Sequence, residues 1–298
     1  MSVMPRSFSL AAAIAALCVA SSALGQTRVV MLGTGTPNAD PDRSGPAAAV
    51  VVNGAAYLVD CGAGVVRRAA AAAAAGNPEL KVTQLTRVFI THLHSDHTLG
   101  YPDLILTPWV LGRTAPLHAY GPLGLQAMTN AILQAWSKDI AVRTQGLEHA
   151  NTSGDQVIVH EILPGDVYRD ANVTVSAFAV HHGSWDQAYG FRFKTADRTI
   201  VFSGDTTPVP ATAAACDGCD LLFHEVYNRK GIPAGRLPYY LAFHTSAEQL
   251  GKLATQAHPA LLVLYHQLFE GLPESDLLAQ VRAAYGGPVV SARDLDVF

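Results

Sequence analysis

Thr91-His92-Leu93-His94-Ser95-Asp96-His97 sets four potential metal ligands side by side, directly after the apolar run Val88-Phe89-Ile90. Three imidazoles and a carboxylate this close repel one another when charged and strain the chain when merely packed, so a bound cation is the economical explanation. A mixed nitrogen and oxygen donor set suits divalent zinc. Further candidate ligands also follow apolar strands: His181-His182 after 173–180, Asp205 after 200–203 and His266 after 261–265. Strand ends of a common sheet converge on one rim, where donors remote in sequence become neighbours. The pattern reads as a metal-dependent hydrolase.

Around this motif the chain alternates short apolar strands with helical stretches. Residues 28–32 read as a strand closed by Gly33-Thr34-Gly35-Thr36-Pro37. Runs 47–52 and 55–60 flank Asn53-Gly54, a strong hairpin signal. Residues 65–75 end in consecutive alanines before Gly76, which reads as a helix with its terminal glycine; a low-complexity linker is the alternative. Strands follow at 87–90, 117–120, 157–162, 173–180, 189–194, 199–203, 221–224 and 261–265, with helices at 123–136, 246–257 and 274–284. This order predicts an α/β fold with helices covering sheets. No Pro/Gly/Ser-rich linker, long charge run or internal repeat divides residues 26–298, which form one expected domain.

The length of 298 residues and 49% apolar content are enough for one large core. Residues 1–25 read separately, as a secretory signal peptide: Arg6 precedes the apolar stretch 10–20, and Ala23 and Gly25 stand before a cut at Gln26. The stretch is too short to span a bilayer comfortably, and Leu17 stands where a lipobox before Cys18 wants Gly or Ala, so no stable membrane association is expected. Export to the periplasm or medium follows. Losing Arg6 makes the formal charge one unit more negative than the −4 of the whole chain, which argues against a nucleic acid partner. Cys61, Cys216 and Cys219 remain, and Cys216-Asp217-Gly218-Cys219 reads either as a small disulfide or as a reduced loop.

The motif His92-Leu93-His94-Ser95-Asp96-His97 resembles the H-x-H-x-D-H signature of the metallo-β-lactamase superfamily. Supporting matches are 32–37, Val59-Asp60-Cys61-Gly62, Tyr120-Gly121-Pro122, Phe202-Ser203-Gly204-Asp205-Thr206 and His244-Thr245-Ser246, and together they look like the ribonuclease Z and arylsulfatase-like branch. The resemblance implies a four-layer αββα sandwich with a dinuclear site at one edge. It implies that His92, His94 and His182 hold one metal, that Asp96, His97 and His266 hold the other, and that Asp205 bridges them. His181 is the fallback for His182. The lactamases proper generally replace or lack that bridging carboxylate, so Asp205 points away from antibiotics. Two Zn2+ per chain are expected, with Mn2+ or iron as alternatives.

Two such ions sharing a water lower its pKa towards neutrality, giving a metal-bridging hydroxide as nucleophile, and they offset charge on phosphoryl or sulfuryl oxygens. Asp96 can also orient that nucleophile. His244 resembles the family's donor to the leaving group, and His224-Glu225 is placed to orient it. The other histidines, His118, His149, His160 and His258, lack the cluster spacing and read as surface or satisfied polar positions. Trp185 reads as packing or as the wall of an aryl pocket. The expectation is therefore an exported zinc hydrolase of a small ester, an aryl sulfate or a phosphodiester, with a small-molecule partner, no nucleic acid and a homo-oligomer allowed. Transfer-RNA processing, which the resemblance associates with the cytoplasm, is set aside on charge and export. Lactone or β-lactam hydrolysis and a non-catalytic periplasmic metal-binding protein are the alternatives.

Overall fold

The computed structural model describes residues 27–298; the signal peptide expected at 1–25 lies outside the described residues. The first half of the chain builds one sheet in strict sequence order: β1 (Arg28–Gly33), β2 (Ala47–Val52), β3 (Ala55–Val59), β4 (Arg87–Phe89), β5 (Leu117–Gly121) and β6 (Val157–Glu161). The second half builds the other from β7 (Gly165–Arg169), β8 (Thr174–Ala179), β9 (Tyr189–Lys194), β10 (Thr199–Phe202), β11 (Leu221–Tyr227), β12 (Leu261–Leu268) and β13 (Val289–Ser291). The expected hairpin forms at Asn53-Gly54, whose φ angles of 48° and 82° are the left-handed pair that a two-residue turn needs.

Alternation along the strands sorts side chains into three apolar layers. Val29, Met31, Tyr57 and Phe89 of the first sheet meet Val175, Phe191, Phe193 and Phe202 of the second between the sheets. The opposite face of the first sheet packs under α1 (Val65–Ala74), α3 (Tyr101–Val110) and α4 (Leu125–Ala135), with α2 (Ser95–Thr98) and α5 (Ser137–Gln145) completing that side. The outer face of the second sheet lies under α6 (Pro210–Cys216), α8 (Ala247–Ala257) and α9 (Glu274–Arg282), and α7 (Leu237–Phe243) crosses the rim. This is the expected αββα sandwich. Residues 65–74 form a helix and not a linker, because Val65, Val66, Ala69 and Ala72 give a buried stripe at helical spacing. Helix α8 starts where the sequence suggests, since Ser246 and Gln249 form a reciprocal capping box. Among the described residues no helix is long and apolar enough to cross a membrane.

Strand direction is what matters for function. Strands β3, β4 and β5 run parallel, as do β10, β11 and β12, and two antiparallel steps through β9 return β8 to the direction of β10. Their C-terminal ends therefore open on common rims, and the Tyr189 amide donates to the Thr91 carbonyl at 3.0 Å to tie the two rims together. Phe89, immediately before the histidine motif, stacks on Tyr120 at 4.9 Å and meets Phe191 and Phe193 edge-on at 5.7 and 5.5 Å. Phe89→Ala should cost about 3–5 kcal/mol, read as a lowered denaturant midpoint. A loss below about 1 kcal/mol would mean that the inter-sheet aromatic cluster does not hold this strand.

Candidate metal centre

All seven expected ligands converge at this rim. His92, His94 and His182 form one group of donors, Asp96, His97 and His266 a second, and Asp205 joins His92 and His97 in a third; the donor atoms in each group lie within 4.8 Å of one another. His94 Nδ1 is 3.0 Å from His92 Nε2 and 3.1 Å from His182 Nε2. His266 Nε2 stands 3.2 Å from Asp96 Oδ2 and 3.4 Å from Asp205 Oδ2. His182, fully buried, joins the cluster, while its neighbour His181 is exposed.

Local backbone geometry turns these side chains inward. Gly204 (φ 61°) lets β10 break sharply before Asp205; a Cβ there would lie 2.6 Å from the Tyr189 carbonyl oxygen. Asp60 and His266 take φ of 58° and 46°, a conformation that costs non-glycine residues energy and tends to persist where a site requires it. At His266 this coincides with an irregular β11/β12 register.

Asp60 is the residue whose importance the sequence did not reveal. Its carboxylate accepts from the Thr91 amide at 2.8 Å, from the Thr91 hydroxyl at 3.0 Å and from His97 Nδ1 at 2.8 Å. The Thr91 hydroxyl in turn lies 3.0 Å from His92 Nδ1. His182 Nδ1 donates to the Phe243 carbonyl at 2.7 Å. These bonds occupy the outer nitrogen of each ring and leave Nε2 facing the cluster, which is how outer partners prepare a histidine for a metal. Trp185 donates to His94 Nε2 at 2.8 Å, so the residue expected as packing or as an aryl wall positions a ring of the cluster with Nδ1 inward; being a donor, unlike Asp60 and the Phe243 carbonyl, it does not free that inward nitrogen of its proton.

The donor chemistry fits a cation. His97 Nε2 and Asp205 Oδ1 face each other at 3.4 Å, both buried and both without a hydrogen-bond partner. With Nδ1–H given to Asp60, a neutral His97 would leave two apposed acceptors here, so the pair needs a proton or a metal cation between them. Burial by itself pushes the His97 pKa down, yet Asp205, Asp60 and Asp96 outweigh it and hold it well above its ordinary value. The pocket thus favours positive charge at this point. Burial likewise disfavours an ionised Asp205, but the imidazoles of His266, His97 and His182 hold its pKa well below the usual carboxylate range.

His244 stands beside the cluster, its Nδ1 3.9 Å from Asp205 Oδ2 and 3.3 Å from Glu225 Oε1. Burial lowers the His244 pKa, and the Glu225 carboxylate more than compensates, leaving it raised. Glu225 is itself fixed by the Thr245 and Thr206 amides at 3.0 and 3.2 Å. It therefore orients His244, the role expected for His224-Glu225. His224 points elsewhere, bonding its neighbour's carbonyl. The remaining histidines lie outside this site: His118 and His160 stack on each other, His258 ends α8, and His149 takes a left-handed backbone. Cys216 and Cys219 form the disulfide, and Cys61 is free and buried.

Residues 56–267 match the family described as "Beta-lactamase superfamily domain". The chain is 35% identical over 266 residues to "Ribonuclease Z" of Mycobacterium sp. (strain KMS), covering 87% of this chain and 90% of that protein. It is 33% identical over 278 residues to "Ribonuclease Z" of Mycobacterium marinum, covering 90% and 96%. Among solved structures it resembles the metallo-beta-lactamase fold protein YhfI from Bacillus subtilis (TM-score 0.69, 18% identity, 91% and 98% covered) and the short form of human tRNase Z (0.66, 24%, 91% and 98%).

These relatives overturn three expectations. An enzyme of a small ester or aryl sulfate, with lactone, β-lactam and non-catalytic alternatives, gives way because the similar proteins are named for cleavage of RNA. The exclusion of nucleic acid fails for a physical reason: net charge sums over the whole chain, whereas charges more than about 8 Å apart are largely screened at physiological ionic strength, so local side chains decide. The periplasmic or secreted location is withdrawn as well, since it was the ground on which RNA processing was set aside and these relatives carry that very name. The chain belongs to the metallo-β-lactamase superfamily of metal-dependent hydrolases, in the branch of its ribonuclease Z relatives.

Proposed function

We propose that this protein is a dinuclear zinc phosphodiesterase that hydrolyses RNA. The observation that carries the reading is the Glu225-His244 pair set against Asp205: an oriented proton donor at the edge of a cation-seeking cluster is what hydrolysis of an ester with a poor leaving group needs. The names of the relatives supply the substrate class. His92, His94 and His182 would hold one ion, Asp96, His97 and His266 the other, and Asp205 would reach both. When bound, two such ions activate a water near neutral pH and offset charge on the non-bridging phosphate oxygens.

The protein's own groups do the rest. Asp96 accepts a hydrogen bond from the attacking water and so aims it. As the water oxygen joins phosphorus its proton passes to Asp96, the opposite P–O bond breaks, and His244 gives its own proton to the departing oxygen. Glu225 holds that ring in place and favours its protonated form. Asp60 acts indirectly, fixing His97 and, through Thr91, His92.

The deciding experiment is hydrolysis of a precursor transfer RNA, before and after chelation, with metal content measured in parallel. Activity should vanish on chelation and return with zinc, and Asp205→Ala or His94→Ala should lose both metal and cleavage; cleavage that persists in the metal-free protein refutes the reading. His244→Ala should keep its metals while kcat falls by about 10²–10⁴. Because the donor must be protonated, activity should decline as pH rises through the raised His244 pKa. Glu225→Gln removes the cause of that elevation and should move this alkaline limb to lower pH; an unmoved limb discards the assignment. Asp60→Asn should weaken zinc binding by about 10–100-fold in a competition titration with a chromogenic chelator. Unchanged affinity would show that Asp60 does not prepare the ligands.

A further inference from the structure

A cavity of about 260 Å³ opens over the cluster, with His94, Asp205, His244 and His266 at its floor and Arg236 and Tyr239 on its wall. Arg236 is the one Lys or Arg among the described residues that line it. Tyr239 is 44% exposed, which burial of apolar surface does not explain. Its ring lies on Phe243, with centroids 4.6 Å apart and planes 21° from parallel, and Phe243 stands edge-on to His182 at 5.1 Å. This support is rigid: Phe243 fills the space over Gly183, where a Cβ would come within 2.1 Å of its ring. The adjacent Tyr240 is buried, its hydroxyl donates to Glu270 at 2.5 Å, and the Arg236 guanidinium sits 5.3 Å from its ring centroid. Two neighbouring tyrosines thus have opposite fates. Tyr240 anchors the segment, while Tyr239 offers a ring to the cavity 5.9 Å from that of His244.

We infer that Tyr239 is a base-stacking platform that fixes the nucleotide next to the scissile phosphate, and that Arg236 pairs with a flanking phosphate of the same strand. This rests on the RNA phosphodiesterase reading and adds the groups that position the polymer. An aromatic ring with one face supported and the remainder open suits any nucleobase, because every base has a π-face. Splayed bases on aromatic side chains are the usual way single-stranded RNA is held. A guanidinium in the lining of the same cavity, held over the Tyr240 ring, supplies the backbone contact that affinity for a polyanion requires.

The test compares two RNAs of one sequence, the second abasic at the nucleotides flanking the scissile bond, using zinc-loaded full chain. Wild type should cleave the abasic RNA with a kcat/KM about tenfold lower, mostly through KM. Tyr239→Ala should lose a similar factor on the normal RNA and no longer distinguish the two, with metal content and thermal midpoint unaltered; Tyr239→Phe, which keeps the ring, should distinguish them as wild type does. Arg236→Gln should raise KM and flatten its dependence on salt. If wild type cleaves both RNAs equally well, or Tyr239→Ala still distinguishes them, the platform is refuted while the RNA reading stands. If wild type cleaves neither, the reading itself falls and takes this inference with it.

Discussion

The apposition of His97 Nε2 and Asp205 Oδ1, two buried polar atoms 3.4 Å apart, is the constraint on which the rest of the site depends. Folding brings them together from opposite sheets, and the arrangement is tolerable only with positive charge between them. The inter-sheet core supplies the force that holds them there. Phe89, Phe191, Phe193 and Phe202 pack the two sheets face to face, and the histidine motif and Asp205 are the immediate continuations of strands in that core.

Preparation of the ligands is a second layer of the same design. Asp60 and the Phe243 carbonyl each accept from the outward nitrogen of an imidazole and free its Nε2 for a cation, while the Trp185 N–H holds the His94 ring in place. The short segment from Arg236 to His244 connects this layer to the substrate side. Its Phe243 carbonyl fixes His182, its rings wall the cavity and its last residue is the proposed acid. One short helix thereby couples metal site, acid and mouth.

Much of the fold was legible because its signals are local. The Asn53-Gly54 turn, the alanine-rich helix ending before Gly76 and the helix starting at Ser246 depend on neighbours in sequence, and each formed as read. Strands β7 and β13 and helices α2, α3, α5, α6 and α7 were not read. Helix α3 carries Pro102 in its first turn and Pro108 inside, which masks its helical pattern, and α5 buries none of its residues. The substrate class was misread for a different reason. Total charge is a property of composition, whereas recognition of a polyanion depends on which cations stand near the cavity, and the sequence does not show that Arg236 is one of them.

The sequence by itself determined the types of donor side chain and their strand-end positions, since the spacing of His92, His94, Asp96 and His97 and the placing of His182, Asp205 and His266 are one-dimensional facts. Tertiary structure alone decided which nitrogen of each ring faces inward, that Asp60 and Trp185 set those orientations, that His182 and not His181 turns into the cluster, and that Tyr239 stays open while Tyr240 is buried. The physical reason is range. Donor identity is fixed residue by residue, but orientation comes from hydrogen bonds and packing between segments that meet only when two sheets, each built from its own half of the chain, close on each other.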